Sequence, residues 1–271
     1  MLLPTELFGV VGHPLGQSLS PALHNWGFAK GGIAGVYMAW EIPPEKLEAF
    51  FVAVRTLPVR GGNITLPHKV ASMSNMNTMS ARAKAVGAVN VFHNTEEGLH
   101  GDNTDVLGFL TPLRERAFRS ALVLGAGGAS RAVIVGLQEL GVKDIAVSNR
   151  SPQKADAFAG EFGIHALPWE DRATSGADLV INTTSLGMKG KSVADSPFPA
   201  SGFRGKGVAY DIIYNPLQTR FLAEAEAAGW HTQDGLTMFV EQALASLRLW
   251  FPGKEPPADE AAALLRTSLS G

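Results

Sequence analysis

The stretch Asn63-Ile-Thr-Leu-Pro-His-Lys69 places a single lysine behind a Gly-Gly pair and a proline turn, at the expected start of a helix. An ammonium group can deliver a proton to a carbonyl oxygen as a hydride reaches the carbon, provided a carboxylate holds it in place or its pKa is shifted. "GDNTD" offers two carboxylates, Asp102 and Asp105, one turn apart if that segment is helical. Spacing alone leaves Lys69 and Asp105 open to two readings, a proton-transfer pair or unrelated surface charges. Ser18 and Ser20 stand in a Gly/Pro-rich loop and suit a polyhydroxy substrate, although Ser20 before Pro21 is equally placed to cap a helix. Asn90, set between Val89 and Val91, is an amide that needs partners if buried, and a ligand can supply them. His13, His24 and His68 read as structural.

Hydride chemistry requires a carrier. Gly125-Ala126-Gly127-Gly128-Ala129 lies between an apolar run, Ala121 to Leu124, and a helical pattern, Ser130 to Leu140. In that setting glycines permit a tight turn and let backbone N–H groups approach a pyrophosphate at the helix start. The next strand ends in Ser148-Asn149-Arg150-Ser151, with Lys154 one turn on. An NAD site usually carries an acidic residue there for the ribose 2′-hydroxyl, and this chain has none. Arg150 instead offers a planar donor fork to a 2′-phosphate, its alternative being a solvated loop arginine. NADP is therefore favoured over NAD.

The elements that must position these groups alternate between strand and helix. Strands are expected at Phe8–Gly12, Val36–Ile42, Asn63–Leu66 and Val89–His93, with helices from Ser20 and over residues 43–57. A longer helix is expected from Thr104 toward Ala117. Beyond it come strands at Ala121–Leu124, Asp144–Ser148, Leu179–Asn182 and Gly207–Ile213, with helices at Ser130–Leu140, Ala155–Phe162 and Leu236–Trp250. Gly141 reads as a helix C-cap, and a weakly helical tail follows Pro257. This cadence predicts an α/β protein whose second half is a parallel sheet covered on both faces.

Bulk composition narrows the function. With 271 residues, 45% hydrophobic, the chain can bury a large core in one or two domains. A formal net charge of -2 lacks the basic footprint of a nucleic-acid binder. No apolar run approaches a membrane span, and "MLLPTELFGVVG" lacks the layout of a signal peptide, so a cytoplasmic protein is expected. Without cysteine there is neither a disulfide nor thiolate chemistry, and the seven scattered histidines show no metal-ligand spacing, so no metal is expected.

Taken in order, "GHPLGQSLSPALHN", "GGNITLPHK", "GAVN", "GDNTD", "GAGGASRA", "SNRS", "NTTSLGM", "DIIYNPLQT" and "DGLTMFVEQA" resemble the shikimate dehydrogenase family from Phe8 to about Pro257. The resemblance implies a substrate domain over residues 1–103, a Rossmann-like NADP domain over 104–235, and C-terminal helices over 236–271 that return to the first domain. The active site would lie in the cleft between the domains. It implies Lys69 and Asp105 as the catalytic pair and Ser18, Ser20, Thr65, Asn90, Tyr214 and Gln242 as substrate contacts. It implies Gly125, Ala126, Gly127, Gly128, Ala129, Asn149, Arg150, Ser151, Lys154, Thr183, Ser185, Met188 and Gly235 around NADP. The implied reaction is reversible reduction of 3-dehydroshikimate to shikimate in aromatic amino-acid synthesis, by a monomer or a homodimer. Four positions depart from the family pattern: Gln17 where histidine is frequent, Val91 where threonine is, and Ala243-Leu244 where Gly-Ala is usual. The same pattern covers quinate/shikimate dehydrogenases that often use NAD, and a silent metabolite sensor would not need both Lys69 and Asp105.

Overall fold

A computed structural model describes residues 5–16, 18–190 and 192–269. Gln17 and the first four residues fall outside the described residues. In chain order the elements are β1 (Glu6–Gly12), α1 (Ser20–Lys30), β2 (Gly35–Glu41), α2 (Leu47–Thr56), β3 (Val59–Ile64), β4 (Thr78–Met79), α3 (Ala81–Val86), β5 (Val91–Thr95), β6 (Gly98–Asp102) and α4 (Asp105–Leu110). They continue with β7 (Ser120–Leu124), α5 (Gly128–Glu139), β8 (Asp144–Ser148), α6 (Pro152–Phe162), β9 (His165–Ala166), β10 (Leu179–Asn182), β11 (Val208–Asp211), α7 (Arg220–Ala227), β12 (His231–Gln233), α8 (Leu236–Trp250) and α9 (Ala258–Leu269). Contacts divide the chain into two compact units, residues 1–105 with 240–271, and residues 106–239.

The first unit is built on a mixed sheet in the order β2-β1-β3-β5-β6-β4. β1 pairs in parallel with β2 and β3, while β5 runs antiparallel to both β3 and β6. Gly62 is required at the centre, because a methyl there would lie 2.4 Å from the Gly9 carbonyl oxygen. One core joins Val11, Phe51, Val54, Ile64, Phe92 and Leu99. A second, aromatic cluster ties the end of α8 to the sheet: Phe8 meets Trp250 at 4.7 Å, and the Trp250 indole donates to the Phe92 carbonyl at 3.2 Å.

The second unit carries a wholly parallel sheet, order β12-β11-β10-β7-β8-β9. Strand alternation along β7 sends Ala121 and Val123 into one core and Leu122 and Leu124 into another, so the sheet is covered on both faces. Parallel strands with crossover helices in this order are the Rossmann-like arrangement.

Local expectations were corrected in several places. The helix expected from Thr104 to Ala117 is α-helical only over Asp105–Leu110 and tightens into a 3-10 turn at Thr111–Leu113, where Pro112 lacks the N–H an α-helix needs. Lys69 does not start an α-helix: a turn leads into a 3-10 segment, Ala71–Asn75, whose serines and asparagine compete with the backbone for hydrogen bonds. Ser20 is the first residue of α1, not its cap, which is Leu19. Gly141 lies one residue beyond the cap of α5, Leu140, with φ +82°. The tail after Pro257 forms a twelve-residue helix, α9.

Candidate functional site

In the first unit, Lys69 Nζ donates to Asp105 Oδ2 at 2.5 Å across 36 residues of sequence. Both groups are largely withdrawn from water, with side-chain exposures of 16% and 8%. Asp105 opens α4, and its backbone N–H donates to Asn103 Oδ1 at 3.2 Å. Asn103 is anchored in turn by donating to the Ala88 carbonyl at 2.9 Å. The other carboxylate of "GDNTD" is engaged elsewhere, since Asp102 accepts from the Ser80 hydroxyl and from the Asn103 N–H. That division of labour settles which aspartate faces Lys69.

Asn90 is buried, and its partners fix its orientation. Its Nδ2 donates to Asp105 Oδ1 at 2.8 Å and to Thr104 Oγ1 at 3.0 Å, while its Oδ1 accepts from the Thr104 N–H at 2.7 Å. Thr104 Oγ1 lies 3.2 Å from Ser246 Oγ, which also accepts from Asn63 Nδ2 at 2.9 Å. Tyr37 closes the chain by donating to Asn63 Oδ1 at 2.8 Å. Sequence reading missed Asn63, although an amide beside buried Ile64 carries the same signal that singled out Asn90. It also missed Thr104 and Ser246, which have no local signal.

The other candidate substrate residues fall as follows. Ser18 Oγ accepts from the Ser20 N–H at 3.4 Å, and Ser20 is nearly buried. Thr65 is half-buried, with its methyl group against Gly12. Gln242 lies on α8, and its carbonyl accepts from Ser246. Val91, Ala243 and Leu244, three of the departures, are all core residues. His68 donates from Nε2 to the Ile42 carbonyl at 2.6 Å, as expected of a structural histidine. Tyr214 belongs to the second unit, where it stacks on Phe239 at 4.5 Å and burial raises its pKa.

That second unit holds a cavity of about 240 Å³ lined by Gly125, Ala126, Gly127, Asn149, Arg150, Lys154, Thr183 and Ser185. Trp169, Thr184 and Leu186 line it too and were not foreseen. Gly125 has φ +111°, and a methyl there would lie 2.8 Å from Thr183 Oγ1, so glycine is required on both counts. The loop is laced from behind. Thr183 donates to the Leu124 carbonyl at 2.7 Å, which leaves its oxygen to accept from Ser130 at 2.7 Å, and Ser130 Oγ accepts from the Gly127 N–H at 3.0 Å. A methyl built on Gly127 meets nothing within 4 Å, so the loop borders open space at the start of α5. Arg150 and Lys154 line this cavity, and among the described residues no carboxylate does, which suits an anionic ligand with a phosphate at the strand end.

The remaining expected cofactor residues are not among those lining the cavity. Ser151 precedes α6 and donates to Gln153 at 3.1 Å, and Met188 is exposed. Gly128 is the first residue of α5, with Ala129 next to it. Gly235 lies so close to its neighbours that a methyl would meet the Ile212 carbonyl oxygen at 2.2 Å, which accounts for glycine there by packing.

Comparison with known proteins covers both units. The family model described as "Shikimate dehydrogenase substrate binding domain" matches residues 10–92, "Shikimate / quinate 5-dehydrogenase" matches 113–188, and "Shikimate 5'-dehydrogenase C-terminal domain" matches 235–266. The shikimate dehydrogenase (NADP(+)) of Oleidesulfovibrio alaskensis is 47% identical over 99% of this chain and 97% of its own. A crystal structure of the Thermus thermophilus shikimate 5-dehydrogenase in complex with NADP(H) and shikimate superposes with a TM-score of 0.88 at 41% identity, covering 97% of this chain and 99% of that one. The ligand-free 5-ketofructose reductase of a Gluconobacter strain follows at TM-score 0.84 and 30% identity, covering 97% and 98%. With these matches spanning nearly its whole length, the chain belongs to the shikimate dehydrogenase family.

Proposed function

We propose that this protein is an NADP-dependent shikimate dehydrogenase, catalysing the reversible reduction of 3-dehydroshikimate to shikimate in aromatic amino-acid synthesis. The observation that carries the reading is the Lys69–Asp105 contact, locked by Asn90 in a largely water-excluded setting. Bound NADPH supplies the hydride. Lys69 then provides the proton to the oxygen on which negative charge develops, and Asp105 holds the ammonium in line. Asn90 has committed both N–H groups, so it meets a ring hydroxyl through the second lone pair of Oδ1. Thr65 and Gln242 hold further ring hydroxyls, and Ser18, Ser20 and Tyr214 take the carboxylate.

For the cofactor, the glycine loop from Gly125 to Ala129 receives the pyrophosphate, and Asn149, Arg150 and Lys154 clasp the 2′-phosphate with Ser151 beside them. Thr183, Ser185, Met188 and Gly235 border the rest of the dinucleotide. The same proposal carries a cytoplasmic location and a monomeric or homodimeric state. Among the described residues no helix is long and apolar enough to cross a membrane.

Lys69→Ala tests the role directly. Turnover of 3-dehydroshikimate should fall by about a hundredfold or more, with NADP affinity unchanged by calorimetry. Turnover within threefold of the parent would sink the proton-transfer role.

A further inference from the structure

Ser246 is buried on α8, four residues after Gln242, and its single oxygen meets three partners. Its hydrogen is assigned by elimination. The Gln242 carbonyl, 2.9 Å away, can only accept, so Ser246 must donate there. Its lone pairs then accept from Asn63 Nδ2 and from the Thr104 hydroxyl. Once Thr104 donates to Ser246, its own lone pair is left to accept from Asn90 Nδ2, and the second Asn90 N–H points at Asp105 Oδ1. The Asn90 carbonyl, which can only accept, takes Asn63 Nδ2 at 3.3 Å and so fixes the orientation of Asn63, leaving its Oδ1 to accept from the Tyr37 hydroxyl at the far end of this directed chain.

We propose that Ser246 is a positioning residue for the Lys69–Asp105 pair. It registers α8, and with it Gln242, against the strand-to-helix loop that carries Thr104 and Asp105. The inference rests on the proton-transfer reading of that pair. Ser246 touches neither member. It acts by fixing the donor direction of Thr104, and through Thr104 the aim of Asn90. Without its oxygen, the Thr104 hydroxyl is free to turn toward Asn90 Oδ1, 3.3 Å away, and compete with the Thr104 N–H for that acceptor. Asn63 Nδ2 retains only a 3.3 Å contact to the Asn90 carbonyl. Small misplacement of a proton donor costs rate more than binding.

The test compares Ser246→Ala, which leaves the site underfilled, with Ser246→Cys, which fills it with a slightly larger group that is a weak acceptor. Both should lower kcat by about tenfold while the KM for NADP and the NADP dissociation constant stay at parent values. A cysteine variant that restores kcat would make volume, not the hydroxyl, the cause and would overturn the proposal. The second arm is a cycle with Thr104→Val. If both residues act through one bond, adding Ser246→Ala to Thr104→Val should cost less than about a further twofold in kcat. Losses that multiply in full would refute the relay. Lys69→Ala, run alongside, separates the two claims: retained turnover there defeats the proton-transfer reading, whereas a dead Lys69→Ala beside parent-like Ser246 variants defeats only this one.

Discussion

Replacing His24 with leucine should flatten the acid side of the stability profile of the first unit. His24 lies on α1 with no exposed surface, stacked on Tyr37 at 4.3 Å and 12°, with Trp250 5.3 Å away. Neither ring nitrogen has a hydrogen-bond partner, and the Asn63 side chain offsets only part of the cost of charging the ring. Burial therefore lowers its pKa from 6.5 to about 3. Between those values the unfolded chain binds a proton that the folded chain refuses. Stability is full above pH 6.5 and is lost progressively as pH falls toward 3. Linkage puts the loss from this one group at about 2 kcal/mol between pH 7 and pH 5. The assay is denaturant unfolding followed by tryptophan fluorescence at both pH values, for parent and His24→Leu. Any loss of packing in the variant appears equally at both pH values and cancels in the comparison. The parent should lose about 2 kcal/mol more than the variant on going to pH 5. Equal losses would show that the buried imidazole does not control acid stability, and the reasoning would fail.

Two substitutions address the cofactor site. Gly125→Ala forces a methyl against Thr183 Oγ1 at φ +111°, which should cost about 1–3 kcal/mol of stability and raise the NADP dissociation constant at least tenfold. Parent-like binding by calorimetry would mean the loop tolerates a side chain. Arg150→Ala removes charge-assisted bonds worth about 2 kcal/mol, so the KM for NADP should rise roughly thirtyfold while that for NAD stays put. An equal rise for both cofactors would place Arg150 away from the 2′-phosphate.

Much of the second unit was legible because its central strands are short, wholly buried apolar runs set between amphipathic helices. The run Ala121–Leu124, the glycines after it and the amphipathic stretch behind them carry their geometry in local pattern. β9 and β12 were not legible, since two or three mostly exposed residues at a sheet edge leave no apolar run. The site divides along the same line. A glycine loop is a local device and can be read from spacing, as can the cation at the end of the next strand. The Lys69–Asp105 contact joins residues 36 apart, and spacing alone could not choose between Asp102 and Asp105. The choice became physical only when Ser80 and the Asn103 amide were seen to occupy Asp102. Ser246 reaches Asn63 across 183 residues, a distance at which no local pattern helps. At Gly235 the need for glycine itself is tertiary, since a methyl there would run into the Ile212 carbonyl, and no local pattern shows that crowding.

The most direct test of the central claim is initial-rate oxidation of shikimate and of quinate, each with NADP and with NAD, compared as kcat/KM. Shikimate with NADP should dominate the other three combinations if Arg150 and Lys154 hold the 2′-phosphate and the Lys69–Asp105 pair moves the proton, as proposed. Comparable rates with quinate or NAD would contradict the narrow assignment, and silence in all four combinations with NADP binding intact would contradict the dehydrogenase reading itself.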